Sequence, residues 1–190
     1  MNMDFLLIVL LACVMTIATI QDLKTRKIPN LLTYPVMLFG LVYHGVLSGL
    51  MGIGFSAAGL AIGIGLFLIP YLMGGMGAGD AKLMGAAGAI LGFKGVIIAA
   101  VMSILIGLVY AMILLLIHHD YCRSFLRRLA IMLKTFFLTR QLIPIPPGNS
   151  EKQPTLSYAL PIALGTMCYV FFKATDSHFI QDLLGVQFSI

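Results

Sequence analysis

The chain has 190 residues, of which 60% are hydrophobic and only 10% charged, where a soluble domain carries about 25% charged residues. Mean hydropathy is +1.03, and apolar runs longer than about 18 residues recur, as in helices that span a bilayer. This excludes a water-soluble globular domain. It assigns the net charge of +5 to basic loops on one membrane face rather than to nucleic-acid binding.

The first apolar run, about Phe5 to Ile20, is expected to be a retained span. Met1-Asn2-Met3-Asp4 lacks the basic start of a cleavable leader. A polar loop follows, Gln21-Asp22-Leu23-Lys24-Thr25-Arg26-Lys27-Ile28-Pro29-Asn30. Pro29 suits the first turn of the next helix, where its missing N–H has no partner anyway. Span 2 covers about Leu31 to Leu47, with Pro35 as a possible kink. Ser48-Gly49 is an uncharged turn. Span 3 covers about Leu50 to Met73 and carries Gly59 and Gly63, a pair that admits a close neighbouring backbone.

Gly74-Gly75-Met76-Gly77-Ala78-Gly79-Asp80 leads into a short fourth run, Ala81 to Phe93. At 1.5 Å per residue it reaches about 20 Å against a hydrocarbon core of about 30 Å. Gly85, Gly88, Ala89 and Gly92 form a small-residue stripe that predicts a tightly packed, central helix. Gly92-Phe93-Lys94-Gly95 turns the chain into span 5, about Val96 to Ile117. The loop from His118 to Leu156 is basic, and Tyr121 to Leu138 reads as an amphipathic helix on an anionic leaflet. Span 6 covers about Ser157 to Phe172, and Lys173 to Ile190 is a tail.

The basic loops after spans 1 and 5 belong in the cytoplasm. Six spans then put both termini outside and the glycine-rich loop inside. The expected architecture is all-α and polytopic: one membrane-embedded domain over 1–190, with 118–156 as a cytoplasmic basic loop. Cys13, Cys122 and Cys168 form no CxxC pair, so no zinc site or disulfide framework is readable. Cys13 and Cys168 are expected to be packing residues. His118-His119-Asp120 is a poor metal site, since adjacent side chains point apart on a helix.

A charge in or at the edge of a bilayer costs at least a few kcal/mol, so the acids demand an explanation. Asp22, Asp80 and Asp120 fall near the inner face at span ends. Two carboxylates close together in a low-dielectric site share one proton. The ionised member can take a proton from water, and the other can donate to a carbonyl, with neither metal nor side-chain nucleophile. Glycines beside Asp80 let a substrate backbone approach. Packing spans 1 and 4 side by side would bring Asp22 and Asp80 together. Taken singly, Asp22 also fits an interfacial acid, Asp80 an N-cap, and Lys82 a residue that snorkels or balances Asp80. A small transporter or channel using Asp80 as an ion or proton site is the alternative, although a transporter site belongs nearer the midplane.

Gly77-Ala78-Gly79-Asp80 followed by Ala81-Lys82-Leu83 resembles the GxGD motif of type IV prepilin leader peptidases, a family of intramembrane aspartic proteases. Asp22 through Asn30 resembles the segment around that family's first catalytic aspartate, and Tyr158-Ala159-Leu160-Pro161 with Gly165 resembles its last-span pattern. The resemblance implies catalytic roles for Asp22 and Asp80 only; Gly77 and Gly79 are expected to form an active-site loop, and the carboxyl-pair chemistry needs no cofactor or metal. The resemblance implies cleavage of prepilin or pseudopilin leaders at the cytoplasmic face of a bacterial inner membrane, with membrane lipid and the substrate as partners and no nucleic acid. Lys82 is a candidate to pair with an acidic residue just after the cut site. An alternative within the wider GxGD class is cleavage of helical substrates inside the bilayer. Long-form members carry an N-terminal domain, often with CxxC pairs, and also N-methylate the product. Here nothing precedes span 1 and no CxxC exists, so the chain resembles the short form serving Flp/Tad-type pili, without expected methyltransferase activity.

Overall fold

A computed structural model describes residues 5–72, 75–117 and 157–175. The described residues are helical: α1 (Phe5–Thr25), α2 (Asn30–Leu72), α3 (Ala78–Ile117) and α4 (Ala159–Thr175). The first three are long and apolar enough to cross a membrane, and α4 is a shorter apolar helix. This is the architecture of a multi-pass membrane protein. The chain divides into two compact units, Met1–Gly107 with Ser157–Ile190, and Leu108–Leu156. The helix contacts and the candidate site described below lie in the first, and the last residues of α3, 108–117, belong to the second. The basic loop, its expected amphipathic helix and both chain ends lie outside the described residues.

With 43 and 40 residues, α2 and α3 would reach about 65 and 60 Å if straight, twice the hydrocarbon thickness. Each is broken at a glycine in the left-handed region, Gly49 at φ 60° and Gly92 at φ 72°, a conformation that a Cβ disfavours. The chain folds back at both. The Cα of Gly52 packs against the carbonyl of His44, and a Cβ on Gly88 would lie 3.1 Å from Val96 Cγ2. Residues eight apart in a straight helix are separated by about 12 Å. The described residues thus form six helical segments: α1, 30–48, 50–72, 78–91, 93–117 and α4.

Segment 78–91 is central. Leu83, Met84, Ala86, Ala87, Ala89, Ile90 and Leu91 are all buried. Its small residues admit two neighbours: Gly40 packs on Ala89, while Gly59 and Gly88 meet backbone to backbone and Gly63 meets Met84. The Ser56 hydroxyl donates to Ala89 O at 2.7 Å, and a ring nitrogen of His44 lies 3.1 Å from Ile90 O. These bonds satisfy polar groups that lipid could not. α4 packs against α1 and against 93–117, where Gly165 meets Ser103.

α1 differs from the sequence expectation in its length. It continues past the apolar run to Thr25, because Gln21 to Thr25 contains no helix breaker. It packs against the last helix, α4, and against α2, and Ile28 beyond its end meets Gly79 at the start of α3. Cys13, expected to be a packing residue, is exposed, and Cys168 is half-buried.

Candidate active site

Asp80 sits in the first turn of α3. Its backbone N–H donates to Gly77 O at 3.1 Å, and the Gly77 N–H donates to Asp80 Oδ2 at 3.1 Å. This is reciprocal capping, with Gly77 at the N-cap and the carboxylate three residues on. The helix N-terminus adds a favourable partial positive charge. The sequence suggested Asp80 itself as an N-cap; the structure gives that place to Gly77. A Cβ on Gly79 would lie 3.0 Å from Ile28 Cβ, so the glycine loop rests directly on the segment leaving α1.

Asp22 occupies the last turn of α1. Arg26, at φ 55°, ends the helix in the left-handed conformation, and its N–H donates to Asp22 O at 2.8 Å, a C-terminal cap. Ile28, ahead of Pro29, then runs away from helical geometry and onto Gly79. The Asp22 side chain turns toward α4. Its Oδ2 accepts a hydrogen bond from the Ser157 hydroxyl and a longer one, 3.4 Å, from Ala159 N–H. Ala159 is the first residue of α4, so Asp22 meets one of the unsatisfied donors of that helix.

The two carboxylates therefore lie at one end of the unit, carried by α1 and α3 and tied to α4. Both are buried, with exposures of 8% for Asp22 and 6% for Asp80, and the charge of Asp22 acts on Asp80. Oδ1 of Asp80 is buried with no hydrogen-bond partner among the described residues, in contrast to the general rule for buried polar atoms. The charge of Asp80 also acts on Tyr158. Burial first, and that charge second, hold the Tyr158 phenol above its ordinary value. Lys82 turns from Asp80 to Asn30, donating to its Oδ1 at 2.8 Å, and its ammonium lies 5.1 Å from the centre of the Tyr34 ring, within cation–π range.

The structure thus brings together Asp22, Asp80, Gly77 and Gly79, with Lys82 beside them but bonded to α2. Asp120 lies outside the described residues. Ser157 and the side chain of Tyr158 were missed as site residues by sequence reasoning. The available signal was a hydroxyl and a phenol at the start of the last apolar run.

The type IV leader peptidase family matches residues 9–112, more than half of the chain, including Asp22 and Asp80 but stopping short of α4. A prepilin leader peptidase/N-methyltransferase of Aeromonas salmonicida (strain A449) is 33% identical over 120 residues, covering 58% of this chain and 41% of the relative. The protein of the same description from Aeromonas hydrophila is 34% identical over 120 residues with the same coverage. That of Xanthomonas campestris pv. campestris is 34% identical over 109 residues, covering 53% of this chain and 37% of the relative. The matched stretch spans about two fifths of these curated relatives. No solved structure matches the chain. By the extent of the family match, which contains both buried carboxylates, the chain belongs to the type IV leader peptidase family.

Proposed function

We propose that this protein is an aspartic endopeptidase of the membrane that removes the leader of prepilin-like proteins. The observation that carries the reading is a pair of buried carboxylates, Asp22 and Asp80, on helix ends joined where Gly79 meets Ile28, inside the stretch that matches the peptidase family.

The chemistry is that of a carboxyl pair holding one proton. The ionised carboxylate takes a proton from water as the water oxygen bonds to the scissile carbonyl carbon. The protonated partner gives its proton to the carbonyl oxygen. When the tetrahedral species collapses, the C–N bond breaks and a proton passes to the leaving nitrogen. The new acid and amine separate, and the pair again holds one proton. Gly77 and Gly79 form the active-site loop beside Asp80; the missing side chain of Gly79 makes room for Ile28, which sets the loop against the segment leaving α1. Lys82, poised by Asn30 and Tyr34, attracts an acidic group on the substrate.

The six helical segments are read as six spans of one peptidase domain, with the carboxyl end at the cytoplasmic face and both termini outside. A bacterial inner membrane is the expected location. The substrate is a prepilin or pseudopilin, cut just before its apolar segment. The proposed reaction is leader removal alone.

The test is cleavage of a co-encoded prepilin by the full chain in proteoliposomes. Asp22→Asn and Asp80→Asn should each abolish cleavage while the protein remains folded in the membrane. Full activity in either would overturn the assignment.

A further inference from the structure

The hydroxyl of Ser157 does not serve its own helix. Tyr158 takes the N-cap place of α4, since Ile162 N–H donates to Tyr158 O at 3.1 Å. The Ser157 hydroxyl instead leaves the helix and donates to Oδ2 of Asp22. Ala159 N–H converges on the same oxygen. On the other carboxylate, Gly77 N–H takes Oδ2 of Asp80. Each acid therefore has its Oδ2 tied to the scaffold. Oδ1 of Asp80 is fully enclosed and has no hydrogen-bond donor among the described residues.

We propose that Ser157 is a positioning residue for the reaction: its hydroxyl fixes the rotamer of Asp22 so that Oδ1 of Asp22 and Oδ1 of Asp80 are the pair that handles water and carbonyl. The inference rests on the reading of Asp22 and Asp80 as the catalytic pair. A carboxylate on the last turn of a helix has several rotamers open to it, and catalysis requires one. Misplacement by about 1 Å costs about 100-fold in rate. A donor held by a different helix fixes the carboxylate relative to the whole bundle, which a donor on α1 itself would not do. Ser157 lies outside the stretch that matches the family, so that match assigns it no role.

The experiment measures single-substrate kinetics of the full chain in proteoliposomes, using a prepilin labelled on its leader. Ser157→Ala should lower kcat by about 10- to 100-fold, the worth of one hydrogen bond to a charged group, with KM within about twofold. Ser157→Thr keeps a hydroxyl and should restore most of kcat. Ser157→Cys keeps the size with a weaker donor and should fall between them; it reports on the donor if the alanine variant fails to accumulate in the membrane. A wild-type kcat in folded Ser157→Ala or Ser157→Cys would overturn the proposal. So would a rise in KM at constant kcat, or a failure of threonine to restore activity in folded protein. Asp22→Asn separates the two readings. If it is inactive while Ser157→Ala is fully active, only the positioning role falls; if it is active, the catalytic pair falls first.

Discussion

The hydroxyl of Ser157 meets the carboxylate of Asp22 across 135 positions of sequence. This bond joins the last turn of the first helix to the start of the last one, at the end of the unit where Asp80 opens α3. Three helix ends thus converge on two acids. Such convergence explains how a chain with few polar groups keeps carboxylates buried. Asp22 meets donors from α4, and Asp80 meets the amide of its own N-cap.

The carboxyl pair should behave as one unit. Asp22→Asn and Asp80→Asn are each expected to reduce kcat by roughly 10²–10⁴-fold, the range for loss of general acid–base catalysis. The double variant should be no slower than the worse single one, because residues acting together are not additive. Single-turnover cleavage rates check this. Multiplicative losses would indicate two independent roles.

Gly79 should tolerate no branched side chain, because its Cα faces Ile28 at the closest approach of the glycine loop to the segment leaving α1. Gly79→Val is expected to lower activity at least about tenfold, an overpacking strain of roughly 1–3 kcal/mol. Ile28→Ala makes room and should recover part of the loss in the double variant. A double-mutant cycle in cleavage rate measures the coupling, and zero coupling would remove Ile28 from the account.

The backbone contact between Gly59 and Gly88 should matter for stability rather than chemistry. In this packing a Cβ on either residue strikes the carbonyl of the other. Gly59→Leu is therefore expected to destabilise the fold by at least about 1–3 kcal/mol. Thermal unfolding in detergent would show the loss. The same substitution at Gly54, where a Cβ meets nothing within 4 Å, should leave the midpoint nearly unchanged.

Lys82 should affect substrate capture more than the chemical step. Its ammonium is held by Asn30 and Tyr34 and makes no ion pair with Asp80. Lys82→Met is expected to raise KM a few-fold, as for loss of one partly exposed charge contact, with kcat little changed. The effect should shrink as salt increases. An unchanged KM at low salt would leave Lys82 a structural residue.

The helical segments, the glycine pair at Gly59 and Gly63, and the special character of Asp80 were legible in the sequence. Apolar runs, small-residue spacing and the cost of a charge in lipid are local properties of the chain. The ends were less legible. α1 runs on to Thr25 because the polar residues after the apolar run still favour a helix, and hydropathy marks lipid contact rather than backbone conformation. Which helix lies against which is a property of side-chain shape summed over the bundle, with no local signature. Sequence therefore nominated Asp22 and Asp80 separately, and suggested α1 against the fourth span. Tertiary structure packed α1 against α4 and rested Ile28 on Gly79. It also turned the Ser157 hydroxyl to Asp22, because a hydroxyl beside a helix start acquires a role only when another helix brings it an acceptor.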